Sequence, residues 1–199
     1  MSRRELDQRR RATTPHHTNP HHIWCHWPLK SEHQPEGAGI PPPCAAGHPS
    51  PNAPLSSCAF QLKPYTKRVG GWKVFDSSSG FRLPDGSVVS PDASLVGLDR
   101  WQALSTAERR SFAPLCPDLV VELASPSDEG PRGESALRQK MASYQANGAR
   151  LGWLLLPHQQ AVDVWPASGA PQRLEQIDVL EATPDFPGLQ LQLAEIWAG

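Results

Sequence analysis

Leu119-Val120-Val121-Glu122-Leu123 is the segment that most narrows what this chain can fold into. An apolar run of this length without polar alternation suits a strand covered on both faces, in the middle of a layered α/β domain. The one charged residue in the run, Glu122, then needs an explanation. An ionised carboxylate withdrawn from water costs several kcal/mol unless a partner compensates it. A metal ion is one such partner. An exposed strand end, or a structural pairing with Arg or Lys, is the plainer alternative.

The segments around this strand set an order of elements. Trp72–Phe75 and Gly80–Leu83 read as short strands, with Asp85-Gly86 as a hairpin turn. Ser87–Val96 continues as a strand interrupted by Pro91. Asp99–Phe112 reads as one helix with Trp101, Leu104 and Phe112 near one face. Glu134–Asn147 is a second helix, stopped by Asn147-Gly148. Leu151–Leu156 is a buried strand that pairs with Ala161–Trp165 across Pro157–Gln160, and Gly188–Leu193 is a last edge segment before a short turn at Ala194–Trp197. Strands, helix, strand, helix and hairpin in this order predict a mixed α/β layer architecture. No GxGxxG and no P-loop is present, so nucleotide cofactors have no support.

Residues 1–70 have a different character. They hold 11 of the 22 prolines, seven of the eight histidines and three of the four cysteines. They carry 9 Lys/Arg and 4 Asp/Glu (+5), whereas residues 71–199 carry 10 and 16 (−6), which sums to the net −1 of the chain. We expect a disordered Pro/His-rich arm over 1–70, polyproline-like at Pro41–Pro43, and a folded core over 71–199. His21, His22, Cys25 and His26 cluster there without the paired spacing of a zinc site. Arg9-Arg10-Arg11 could touch nucleic acid, but such runs are more often solvated tails. No apolar run approaches the roughly 18–20 residues of a membrane span. No apolar segment follows the first arginines, so the expectation is a cytoplasmic protein with reduced thiols.

Three residues carry the candidate chemistry. Asp92, in Ser90-Pro91-Asp92-Ala93-Ser94, follows the hairpin and is placed to lie on a strand beside Glu122; its plainer role is a turn or cap aspartate. Asp118 competes for that place, but four residues of strand separate it from Glu122 by roughly 13 Å. Two carboxylates on one small cation need oxygens within roughly 4 Å, which adjacent strands about 4.8 Å apart can supply. On the 134–147 helix, Leu137, Met141 and Tyr144 define an apolar face. Lys140 lies about 40–100° from them, on a flank that can reach a strand end or simply snorkel to solvent. Ser125 could orient a metal-bound water, although a capping role in Ser125-Pro126-Ser127-Asp128 is the simpler assignment.

In order, these segments resemble a known family. Val74–Gly86 with its Ser-Ser-Ser-Gly-Phe-Arg-Leu-Pro-Asp-Gly ending, Ser90-Pro91-Asp92-Ala93-Ser94, Cys116–Asp128, Lys140-Met141-x-x-Tyr144-x-x-x-Gly148 and Gly152-Trp153-Leu154 are similar to the Uma-two family of restriction-endonuclease-like domains. The likeness spans roughly residues 72–197. It implies a restriction endonuclease-like mixed β-sheet flanked by helices, of the PD-(D/E)xK nuclease superfamily. It also implies Asp92, Glu122 and Lys140 as catalytic residues, and Mg²⁺ or Mn²⁺ held by Asp92 and Glu122. The lysine expected two residues after Glu122 is replaced by Ala124, and the resemblance assigns its role to Lys140. DNA is the implied partner, no membrane is involved, and a homodimer is open. Family members begin with helices and a hairpin carrying a Tyr-Glu-Leu-like segment that residues 1–70 lack, so the expectation is a domain truncated at its N-terminal side, active or decayed. The alternative is a non-catalytic nucleic-acid-binding or regulatory module that retains the fold. A third reading, a small interaction domain acting through its Pro/His-rich arm, rests on composition alone.

Overall fold

The computed structural model describes the backbone from residue 53 to 198 and side chains from 58 onward. The histidine–cysteine cluster, the arginine run and the proline run of the arm lie outside the described residues.

The chain enters the described fold through helix α1 (Ala53–Val69) and then strand β1 (Trp72–Asp76). The hairpin strands β2 (Phe81–Arg82) and β3 (Val88–Val89) follow, then β4 (Ala93–Gly97). Two short helices come next, α2 (Leu98–Ala103) and α3 (Thr106–Arg109), leading to β5 (Leu119–Leu123). Helix α4 (Pro131–Ala146) connects β5 to β6 (Leu151–Leu156), and β7 (Ala161–Pro166) returns against it. The strands β8 (Gln172–Glu175), β9 (Val179–Glu181) and β10 (Gln190–Gln192) and helix α5 (Ala194–Trp197) complete the order.

Six strands form the main sheet in the order β1-β4-β5-β6-β7-β8. Its neighbours are antiparallel except for β5 and β6, where Glu122 pairs with Leu154. A parallel pair needs a crossover connection, and α4 supplies it. All residues of β5 and β6 are buried, as their uninterrupted apolar runs require.

Strand alternation sorts the core into two layers. Leu95, Leu119, Val121, Trp153 and Leu155 point to one face, which is covered by Cys58, Ala59, Leu62 and Tyr65 of α1 and by the β9–β10 hairpin and α5. Val120, Leu154 and Leu156 point to the other, where Met141 and Tyr144 of α4 meet them. Gly152 lets α4 come close: a Cβ there would fall 2.5 Å from the Met141 methyl.

Helix α1 corrects the expectation of disorder up to residue 70. Cys58, Ala59, Leu62 and Tyr65 recur at helical spacing and form a buried stripe, with Leu62 fully buried. Pro64 sits inside this helix. Lys67 and Arg68 fall in its last turn, where positive charge is favoured, and Gly70 and Gly71, both at φ +72°, turn the chain into β1. The core therefore starts upstream of residue 71.

A second correction concerns Asp99–Phe112, which is two short helices. Ser105 starts a new helix: its Oγ accepts from the Glu108 backbone N–H at 3.3 Å, and Glu108 Oε2 accepts from the Ser105 backbone N–H at 2.7 Å. Phe112 consequently lies beyond the helix and is 51% exposed. Strands β8 and β9 are absent from the order the sequence predicts, since β8 is polar and mostly exposed.

If α1 is part of the core, truncating its central side chain must destabilise the whole domain. Leu62→Ala is expected to cost about 2–5 kcal/mol in urea-unfolding free energy. A variant as stable as the parent would mean that α1 does not dock as described.

Candidate active site

The site lies where β5 ends. Ala93 pairs with Val121, and the same antiparallel register carried one residue further sets Asp92 across from Glu122. Directly opposed residues point to the same face, with Cβ atoms about 4.5–5.5 Å apart. Pro91 and Asp92 precede β4, so the Asp92 side chain takes over from the backbone ladder: its Oδ2 accepts from the Leu123 N–H at 2.8 Å. Asp92 Oδ1 accepts no hydrogen bond from the described residues.

Glu122 is 2% exposed and faces α4. Its two oxygens are engaged from that helix. Tyr144 donates its hydroxyl to Oε1 at 2.8 Å, and the Lys140 Nζ lies 2.8 Å from the carboxylate. Lys140 and Tyr144 are four residues apart, so one face of α4 presents both. The lysine is fixed from a third side, because Nζ also donates to the Ser90 carbonyl at 3.1 Å. Ser90 is itself held: its Oγ donates to the carbonyls of Ser77 and Ser79 at 2.9 and 2.8 Å. The amine of Lys140 thus points inward to the sheet.

Burial dominates the electrostatics. It pushes the Glu122 carboxyl up to about 7, against the pull of Lys140 and with a further push from Asp92. The Asp92 carboxyl is also raised, first by burial, while the Leu123 N–H and Lys140 oppose the shift and Asp128 adds to it. Tyr144 holds its proton more firmly than a free phenol, because it is buried and faces the Glu122 charge. Two carboxyl groups pushed up by burial, with Glu122 pushed further by Asp92, leave a deficit that an added cation would relieve.

The donor set suits a hard cation in a limited way. Among the described residues no group of three or more His, Cys, Asp or Glu side chains is arranged to hold a metal. Two carboxylates, one with an oxygen free of hydrogen bonds, match Mg²⁺, which takes one or two protein carboxylates and keeps water or phosphate oxygens in its other positions.

The other sequence candidates fall into structural roles. Asp118 sits at the opposite end of β5, accepts from the Gly97 N–H at 2.8 Å and pairs with Arg100 at 2.8 Å. Ser125 is exposed, and its backbone N–H and its Oγ both donate to Asp128 Oδ2, at 2.9 and 2.5 Å. These bonds brace the turn that follows β5. The sequence places Tyr144 only on the apolar face of α4. Its i, i+4 relation to Lys140 was the available sign that its hydroxyl would reach the same carboxylate.

This mixed sheet with a crossover helix is a nuclease-like fold. It is similar to the crystal structure of a putative nuclease belonging to DUF820 from Anabaena variabilis, with a TM-score of 0.60 and 16% identity over 76% of this chain and 82% of that one. Residues 44–194 match the model of the Uma2 family, described as "Putative restriction endonuclease", and the chain belongs to that family. The matched stretch begins before α1, in agreement with the docking of that helix on the core. None of the curated proteins matches the chain.

The raised Glu122 carboxyl has a consequence for stability. Its folded-state value of about 7 lies above the ordinary 4.5, so the folded state binds the proton more tightly than the unfolded chain does. That contribution is fully present below pH 4.5 and is lost as pH rises through 7, for a total of about 3 kcal/mol. In the absence of divalent cations, the unfolding free energy of the parent relative to Glu122→Gln should fall across this window. Parallel pH profiles for the two proteins would show that Glu122 titrates normally.

Proposed function

We propose that the protein is a metal-dependent endonuclease that hydrolyses DNA phosphodiester bonds at Asp92, Glu122 and Lys140. The observation that carries this reading is the meeting of three elements at one strand end. The β4–β5 register sets Asp92 across from Glu122, and α4 brings Lys140 to within 2.8 Å of the same carboxylate. Membership of a restriction-endonuclease family supports phosphodiester hydrolysis as the reaction class.

Asp92 and Glu122 would hold Mg²⁺ or Mn²⁺, which when bound polarises a phosphoryl oxygen and lowers the pKa of water. The chain's own groups divide the remaining work. Asp92 offers Oδ1, while its Oδ2 bond to Leu123 fixes the carboxylate against rotation. Tyr144 keeps its proton on the hydroxyl and so anchors Glu122 Oε1 in one orientation. Lys140 brings positive charge to the place where charge grows on the phosphorus oxygens, and the Ser90 carbonyl aims it. The 71–199 region carries a net −6, which would repel a DNA backbone at an uncompensated site; the lysine and a bound cation offset that repulsion locally.

A second reading, a non-catalytic module that retains this fold, draws on two observations. Helix α1 contains no acidic residue, and the described carboxylates of the site number two. The readings part in solution. Nicking of supercoiled plasmid with Mg²⁺ is expected for the parent, with a loss of about 100-fold or more in Lys140→Ala and Asp92→Asn. Cleavage unchanged in both variants would remove these residues from the mechanism. Failure of calorimetry to detect Mg²⁺ binding, with DNA affinity retained, would favour the non-catalytic module.

A further inference from the structure

Two adjoining clefts of about 400 and 360 Å³ lie along β1, Trp101 of α2 and the end of α3, and neither takes part in the site described above. They share Phe75, Ser78, Ser79, Trp101 and Arg109 as common walls. Their lining is unusual for a body with net negative charge. Lys63, Lys73, Arg109 and Arg110 line them, and Asp76 is the single acidic residue among the lining side chains. The Asp76 carboxylate is already turned onto Ser78, accepting from its N–H at 3.1 Å and its hydroxyl at 2.5 Å. Arg109 and Arg110 are exposed and form no ion pair with any described residue.

Aromatic surface accompanies the charge. Phe112 lies over Gly80, where an added Cβ would come within 2.5 Å of its ring, and it still exposes half its surface. Trp101 is half-buried against Phe75 with ring centroids 4.7 Å apart, and the Lys73 Nζ sits 5.1 Å from its ring centre. Four cations interleaved with flat aromatic faces match the two halves of a nucleotide: the phosphate and the base. Bases reach such faces only when they are unstacked, as in a single strand.

The position relative to the candidate active site gives this surface a direction. Ser78, Ser79 and Gly80, in the turn after β1, line the first cleft, and Ser90 Oγ donates to the carbonyls of Ser77 and Ser79 in that turn. The Ser90 carbonyl in turn accepts from Lys140. Ser90 therefore ties the cleft to Lys140, and Asp76, the last residue of β1, pairs with Ala93, the neighbour of Asp92.

We propose that this basic–aromatic cleft seats a single-stranded DNA segment beside the cleavage site, with bases stacked on Phe112 and Trp101 and phosphates held by Lys63, Lys73, Arg109 and Arg110. The choice of DNA as ligand rests on the nuclease reading; the single-strand preference rests on the cleft itself.

The test uses the full chain in EDTA, so that binding is measured without chemistry. Three fluorescently labelled probes are compared by anisotropy: a dT 20-mer, an abasic strand of the same length and charge, and a blunt 20-base-pair duplex. The dT strand should bind about tenfold more tightly than the abasic strand, and more tightly than the duplex. Phe112→Ala should reduce the advantage over the abasic strand with the melting temperature unchanged, since the ring is half exposed. Arg109→Ala with Arg110→Ala should weaken both single strands and reduce the salt dependence by roughly one to two charges. Equal affinity for dT and abasic strands, or an undiminished advantage in Phe112→Ala, overturns the proposal. Base stacking by Trp24 or Trp27 of the basic arm would survive Phe112→Ala, so that variant separates the cleft from the arm. Base-dependent binding in a protein that never nicks plasmid leaves the cleft standing and removes the nuclease reading. Plasmid nicking without base-dependent binding removes the cleft alone.

Discussion

A carboxylate inside the sheet governs the arrangement of everything around it. Glu122 is almost fully buried in a strand that is otherwise apolar on both faces. Desolvation alone would leave it neutral, and the two donors that face it come from a single helix. Lys140 supplies a charge and Tyr144 a hydroxyl, so α4 is held to the sheet by polar contacts as well as by Met141 and its apolar neighbours. Such contacts are directional, and they fix the rotation and axial position of the helix more tightly than greasy contact does. Removing one partner would leave the remaining groups buried and unsatisfied, which is why the constellation acts as a unit.

Topology explains why these groups meet. The β5–β6 pair is the parallel one in the six-stranded sheet, and a parallel pair obliges the chain to cross back over one face. The crossover α4 starts just beyond Glu122 and runs over the Glu122 face, so its middle turns must pass the end of the strand they have left. The antiparallel partner β4 arrives from the other direction, and its first residues fall beside the last residues of β5. One parallel and one antiparallel neighbour thus deliver a cation from above and a second carboxylate from the side.

The sequence made the centre of this structure legible and its margins obscure, for physical reasons. Leu119–Leu123 and Leu151–Leu156 have no polar alternation, and only a doubly covered strand tolerates that. The Lys140 flank followed from angular position on an amphipathic helix, which depends on local geometry alone. The α1 stripe was hidden because it begins directly after a Pro- and His-rich stretch and contains Pro64, although Cys58, Ala59, Leu62 and Tyr65 already stand at helical spacing. The split of Asp99–Phe112 was readable in Ser105-x-x-Glu108, a capping pair that outweighs continued periodicity. Strand β8 offers no such sign. Its stability comes from backbone pairing with β7 and from Arg173, which reaches Asp163, and these are tertiary facts.

The pattern of charge links the fold to its proposed chemistry. The carboxylates whose titration the fold shifts divide into two kinds. Asp76, Asp85, Glu108 and Glu134 each receive nearby donors that hold them below the ordinary range, and they serve as turn, cap or bridge residues. Asp92 and Glu122 are shifted upward, and the register makes them neighbours. A protein that needed only structure could have met the Lys140–Glu122 pair with an apolar contact of similar volume at no loss of stability. Placing a second, partly unsatisfied carboxylate beside the first raises the cost without adding a packing contact. A cation bound between them reverses the sign of that interaction, since each carboxylate then stabilises the ion that the other also holds. The same ion would offset the repulsion between the acidic body and a phosphate backbone, so one binding event would relieve two electrostatic costs that the fold otherwise carries.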